Sequence, residues 1–348
     1  MQEHQTLAEF LAEWSAGEEP RSAVAATVTA IAEACCAIAE LIALGPLAGH
    51  PRLPCGETAD DPAPAALLQR ASALLARELR SAPVACLASE ESESPDGLDL
   101  RAPLCVAVNP LDGAANIDAN VAVGTLFSIL PMTCAECRPS RHCFVRPGRM
   151  QLAAGYVIYG PRTALALTLG AGTHIFTLNP DTGAFCLTAP DCRIPEDTDE
   201  FAINTANFRR WDGHIRAYVD DCLKGAEGAH GKNYTARWIA SLVAECHRIL
   251  VRGGICLYPG DRRAEYRSGR LRLAYDCNPI AFLIEQAGGA ATTGQQSILD
   301  VTPTDAQQRV PLIFGSRDEV RLLEHYYREV RPFQERPQLF GTRDLLRL

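Results

Sequence analysis

Two carboxylate-bearing stretches carry the chemistry that this sequence suggests. Glu90 and Glu91 follow the apolar run VACLA, and Asn109 and Asp112 close a second run, LCVAV, within VAVNPLDGAANID. Pro110 and Gly113 cannot continue a ladder, so both sets of polar atoms are expected at strand ends, where α/β sheets place their ligand and metal sites. Two adjacent strand ends would crowd carboxylates together. That costs free energy unless a cation neutralises them, and hard divalent ions take such oxygen ligands. Beyond Gly113, the residues Ala114, Ala115 and Asn116 offer consecutive backbone N–H groups; if they open a helical turn, they make an anion site that needs no side chain. A metal beside an anion points to phosphoryl chemistry. Taken singly, Asp112-Gly113 reads equally as a turn and SEESES as a solvated acidic loop.

A second cluster, TCAECRPSRHC, holds Cys134, Cys137, His142 and Cys143. Its spacing suits a zinc ion or a thiol switch, and a surface loop of reduced cysteines explains it as well. The other cysteines, among them Cys86, Cys105, Cys246 and Cys256, sit in apolar runs and read as small buried hydrophobes.

The elements that must position these groups follow from periodicity. Ser22–Leu44 is an Ala-rich helix packed on both sides, and Gly45–Pro64 is a Gly/Pro/Asp-rich loop. A helix over 65–80 leads into VACLA. From Gln151 the runs LAAGYVIYG, ALALTLGA and HIFTLN read as antiparallel strands, and a second αβ unit starts after a boundary at Thr188 to Glu200. This gives an N-terminal unit over 1–190 and a C-terminal unit over 191–348. The 348 residues, 47% hydrophobic, suffice for two such units, and a net charge of −9 opposes a nucleic-acid surface. The acidic start lacks a signal-peptide pattern, and no run is expected to reach membrane-spanning length, which together predict a cytoplasmic protein acting on a small metabolite.

Taken together, NPLDGAANID, VAVGTLFSIL, GRMQLAAGYVIYGP, RLRLAYDCNPIAFLIEQAGGAATTG and LDVTPTDAQQRVPLIFGS resemble the class I fructose-1,6-bisphosphatase family, over Ser22 to about Tyr327. The resemblance implies an α/β fold layered as an αβαβα sandwich, and a homotetramer that hydrolyses the 1-phosphate of fructose 1,6-bisphosphate with Mg2+. It implies a metal set of Glu90, Asn109, the Leu111 carbonyl, Asp112 and Asp276, with Glu90, Glu91 and Asp112 catalytic and Glu91 polarising the attacking water. It assigns Asp112, Gly113, Ala114 and Ala115 to the 1-phosphate. Asn204, Asn207, Arg237, Tyr258 and Arg270 fall to the sugar and 6-phosphate, with Arg237 reaching into a neighbouring subunit's site.

Departures from the family pattern accompany the resemblance. The usual D-P-L-D-G-S-S-N-I-D has Asn109 for its first aspartate and Ala114-Ala115 for its serines; Asp276 stands for glutamate and Arg270 for lysine. The helix over 65–80 lacks the family's aspartate. These losses set against the working enzyme two alternatives: a weakened relative that binds sugar phosphates, and a sedoheptulose-1,7-bisphosphatase. The segments that carry AMP recognition in the family are not visible, so AMP inhibition is expected to be weak or absent.

Overall fold

The computed structural model describes residues 4–48, 65–92, 94–132 and 141–328. The chain opens with α1 (Leu7–Ser15), capped by Thr6 and Glu9 in reciprocal hydrogen bonds, followed by α2 (Arg21–Leu44) and α3 (Ala65–Leu79). Eight strands follow: β1 (Val84–Ser89), β2 (Asp96–Gly97), β3 (Leu104–Asp112), β4 (Val123–Pro131), β5 (Ala153–Tyr159), β6 (Thr163–Thr168), β7 (Thr173–Asn179) and β8 (Ala184–Ala189). They form one sheet in the order β2-β1-β3-β4-β5-β6-β7-β8, in which β1 and β3 run parallel and the other pairs antiparallel.

The second half contributes β9 (Glu200–Ile203), α4 (Gly213–Leu223), β10 (Thr235–Ala236), α5 (Leu242–Arg252), β11 (Ile255–Tyr258), β12 (Leu271–Arg272), α6 (Asn278–Gln286), β13 (Ala290–Thr292), β14 (Arg309–Val310), β15 (Leu312–Gly315) and α7 (Arg317–Arg328). Strands β10-β9-β11-β15-β13 form the second sheet, and β12 pairs with β14 alone.

Strands buried on both faces read as unbroken apolar runs, and their alternation assigns each residue a side. Val106, Val108, Phe127 and Val157 face α1, α2 and α3. Leu126, Tyr156 and Ile158, one position along, face α5 and α6 through Val243, Cys246, Ile280 and Leu283, in a core that also takes in Cys256 and Phe314 of the second sheet. Beyond that sheet, Phe201 and Ile203 pack on Ile215 and Val219 of α4 and on Val320 and Leu323 of α7. The layers are therefore helix, sheet, helix, sheet, helix, as the resemblance implies.

One expectation is corrected. The 24-residue α2 is long and apolar enough to cross a membrane by length and composition, with a mean hydropathy of 1.8. Its apolarity has another cause here: Val24, Val28, Ile31 and Ile38 are buried in the core. Cys86, Cys105, Cys246 and Cys256 are buried as expected. So is Cys143, for which a surface loop is one of the readings; Cys134, Cys137 and the His142 side chain lie outside the described residues.

Candidate active site

Parallel pairing of β1 with β3 puts their C-terminal ends side by side, with Glu90 N–H donating to the Val108 carbonyl at 3.0 Å. The β3–β4 register shifts between Asn109 and Asp112, a bulge at Pro110 that turns the strand end outward. Gly113 then takes φ +72°, a left-handed conformation that suits glycine, and opens the 3-10 turn Ala114–Asn116. The N–H groups of Gly113, Ala114 and Ala115 precede the first hydrogen bond of that turn, from Asn116 N to the Gly113 carbonyl.

Two segments of the second half close on this turn. Ser241 caps α5, whose Val243 N–H donates to Asp112 Oδ2 at 3.2 Å, and Asn116 Nδ2 donates to the Ala240 carbonyl at 2.8 Å. Asp112 therefore sits on a helix N-terminus, where backbone N–H groups and the helix dipole favour negative charge. Asp276 comes from a π-helical turn, Leu273–Cys277, immediately before α6. Such turns are rare and recur at functional sites because they re-aim one side chain.

Asp276 is clasped on both oxygens: Asn109 Nδ2 donates to Oδ1 at 2.9 Å and Arg272 N–H to Oδ2 at 2.8 Å. The Asn109 oxygen accepts the Leu111 N–H at 3.2 Å, which leaves it a second lone pair, and its amide N–H positions Asp276. Arg272 also reaches Glu90, with Nη1 at 3.0 Å from Oε1 and a further bond to the Glu90 carbonyl.

The electrostatics of the three acids point the same way. Burial, then the neighbouring Asp276, push the Asp112 carboxyl up to about 7. Burial and Asp276 likewise drive Glu90 well above the usual carboxylate range despite Arg272, and burial raises Asp276. Crowded oxygen donors with one guanidinium among them fit a hard divalent cation, which would restore the ionised forms. Glu90, Asp112 and Asp276 would hold it. Glu91 stands apart: it is exposed and lines a 430 Å³ cavity between α3 and the β1 and β3 ends. The α3 residues in that wall are Leu68, Gln69, Ser72, Leu75 and Ala76, none of them acidic.

The distal residues fall into two groups. Asn204 and Tyr258 follow the register pair Ile203–Leu257 at the ends of parallel β9 and β11, and Trp238 packs on Tyr258 at 5.1 Å between ring centroids. Asn207 accepts from Arg263 Nη2 at 3.4 Å. Arg263 and Arg270 both lie against Tyr266, 4.4 and 4.3 Å from its ring centroid. Arg237 turns the other way, to Glu200 at the start of β9, with Nε 2.7 Å from Oε1.

Residues 65–190 match the fructose-1-6-bisphosphatase N-terminal domain family, and residues 194–328 match its C-terminal domain family. The chain belongs to the fructose-1,6-bisphosphatase family. Among its relatives is the class 1 fructose-1,6-bisphosphatase of Xanthobacter autotrophicus, 49% identical over 347 residues, covering 98% of this chain and 91% of that one. The class 1 enzyme of Rhizobium meliloti is 54% identical over 269 residues, 77% of each chain. The crystal structure of Leishmania major fructose-1,6-bisphosphatase in holo form superposes with a TM-score of 0.84 at 32% identity, covering 93% of this chain and 99% of that one.

Within the fructose-1,6-bisphosphatase fold, sequence reasoning missed Arg272, Trp238, Arg263 and Tyr266. Arg272 carried a signal: RLRL alternates, and Arg272 stands four residues before Asp276. For Trp238 and Tyr266, only the packing of separate loops brings them against Tyr258, Arg263 and Arg270.

Proposed function

We propose that this chain hydrolyses the 1-phosphate of fructose 1,6-bisphosphate, yielding fructose 6-phosphate and phosphate, with Mg2+ held by Glu90, Asp112 and Asp276. The observation that carries this reading is the convergence of these three carboxylates beside the open N–H groups of the Gly113 turn. Magnesium, when bound, supplies Lewis-acid charge at the scissile phosphate.

The chain's own residues do the rest. The turn Gly113–Ala115 binds the 1-phosphate through N–H groups, and the alanines cost it only hydroxyl contacts. Asn109 and Arg272 fix Asp276, and Arg272 fixes Glu90, so the carboxylates are aimed before substrate arrives. Glu91, next to Glu90 in the chain and exposed in the adjoining cavity, orients the attacking water. Asn204, Tyr258 and Trp238 hold the sugar, while Arg263 and Arg270 hold the distal phosphate as a fixed handle that orients the reacting end. In this reading 1–190 carries the 1-phosphate turn and the metal residues Glu90 and Asp112, and 191–348 adds Asp276 to the metal set and carries the sugar and 6-phosphate residues. We further read the enzyme as a cytoplasmic homotetramer in which Arg237, turned away from Asn204, serves a neighbouring subunit's site.

The test is product analysis. Purified chain with magnesium and fructose 1,6-bisphosphate is expected to release phosphate and fructose 6-phosphate in equal amounts; fructose 1-phosphate, or no release at saturating magnesium, would overturn the proposal.

A further inference from the structure

Far from the carboxylate cluster, α4, the loop after it and α7 bring together Cys222, His230 and Glu319, with one potential ligand atom from each lying within 4.8 Å of the others. Cys222 and Glu319 are buried and His230 is half-buried. The hydrogen bonds around them settle the proton positions. Tyr326 OH donates to Asp221 Oδ2 at 2.6 Å, because an ionised carboxylate can only accept. The Tyr326 oxygen must then accept from His230 Nε2, 2.9 Å away, which puts the imidazole proton on Nε2 and leaves the Nδ1 lone pair facing outward from that bond. That lone pair points to Cys222 Sγ, 3.7 Å away.

This is the outer-shell arrangement that fixes a ligating histidine, with a carboxylate acting through a hydroxyl to set the tautomer. Burial holds His230 below the usual imidazole range, so the ring is neutral at neutral pH. The third member is oriented in the same way: Glu319 Oε1 accepts from Tyr218 and Tyr234 hydroxyls at 2.7 Å each, and Oε2 accepts from Lys232 at 3.0 Å.

We propose that Cys222, His230 and Glu319 form a zinc site, with a fourth position open to water on the His230 side. The donor set of one thiolate, one imidazole and one carboxylate is the borderline-soft set that zinc takes. Zinc–sulfur and zinc–nitrogen bonds at a tetrahedral angle separate the two donors by about 3.6 Å, close to the spacing already present between Cys222 and His230. The charge closes as well. Zinc binding expels the Cys222 thiol proton, so Zn2+, thiolate and carboxylate sum to zero, and Lys232 keeps its partners Asp197 and the Thr198 carbonyl. The ion would clasp α4 and α7 to the segment that runs from His230 into β10 and on to Arg237. The proposal stands independently of the phosphatase reading.

The experiment is a cobalt titration of the reduced, metal-stripped full chain, followed by absorbance. Oxygen ligands such as Glu90, Asp112 and Asp276 give no thiolate-to-cobalt charge-transfer band, so the near-ultraviolet band reports sulfur ligation alone. The band is expected at one equivalent, competed away by zinc, retained in Cys134→Ser and Cys137→Ser, and lost in Cys222→Ser. His230→Gln is expected to weaken cobalt binding ten- to a hundredfold and shift the visible d–d bands. Absence of the band in the parent, its survival in Cys222→Ser, or unchanged spectra and affinity in His230→Gln would each overturn the proposal.

Discussion

Two groups of acids in this molecule differ in the charge that surrounds them. Glu90, Asp112 and Asp276 face one another with Arg272 as the guanidinium in contact, and all three carboxyls are pushed up. Glu200 and Glu245 face a surplus of positive charge. Glu200 takes Arg237, Arg248 and Arg252, and Arg248 also bridges to Glu245. Burial presses upward on both: at Glu200 the three guanidiniums together hold the carboxyl below its ordinary value, whereas at Glu245 burial outweighs Arg248 and the carboxyl stays raised. The second group is electrostatically complete and therefore structural. The first has donors to spare, which is the condition of a site that awaits a cation.

The largest way to break this comparison is to remove one acid from each group. Asp112→Asn removes a like charge and a cation ligand. It is expected to lower turnover at least ~10³-fold while leaving the metal-free protein as stable as before or more so, by about 1 kcal/mol. Turnover within tenfold of the parent would remove Asp112 from the machinery. Glu200→Ala is expected to do the reverse in stability, costing about 3 kcal/mol in urea unfolding because Arg237, Arg248 and Arg252 lose their shared carboxylate and the buried Arg248 keeps only Glu245. A cost below about 1 kcal/mol would show that Glu200 is no keystone.

A half-buried histidine sharpens the contrast by giving up its charge. His247, bonded through Nδ1 to the Tyr156 hydroxyl at 3.0 Å, is driven down to about 4 by burial and, secondarily, by Arg162. Its folded value lies below the unfolded one, so the unfolded chain binds the extra proton between them. The stability tied to neutral His247 is complete above about pH 6.5 and is lost as pH falls toward 4, by about 3 kcal/mol. Urea unfolding at pH 7 and pH 4.5 should show a smaller pH difference in His247→Phe than in the parent; equal differences would contradict the assignment.

The smallest expected effect concerns Asn109. Asn109→Asp replaces the amide donor on Asp276 with a fourth acid, and turnover at limiting magnesium is expected to rise about tenfold. No change would mean that the Asp276 clasp, rather than missing charge, sets the rate.

Much of this was legible in the sequence where a signal is local. Gly113 foretold the end of β3, whereas Pro110, expected to break the run, lies inside β3 at its bulge, and the parallel β1–β3 pairing set the ends that carry Glu90 and Asp112 side by side. The resemblance supplied Asp276, which no local pattern singles out. What escaped notice depends on chain segments meeting in space. The π-turn that aims Asp276, the α5 N-terminus under Asp112 and the Asn109 amide turned onto Asp276 are set by tertiary packing. Asn109 is the instructive case: its residue type permits a metal ligand, but the Leu111 N–H and Asp276 together decide its orientation. For α2, composition alone could not separate a helix buried in a core from one that crosses a membrane.

The central claim is that the crowded carboxylates are the seat of a magnesium-dependent phosphatase. Its most direct test is phosphate release from fructose 1,6-bisphosphate across a magnesium titration, run in parallel on the parent and on Asp112→Asn. The account predicts no turnover without magnesium, a saturating rise in the parent and at least ~10³-fold less in the variant at every concentration. Turnover that is indifferent to magnesium, or that survives Asp112→Asn, would contradict it.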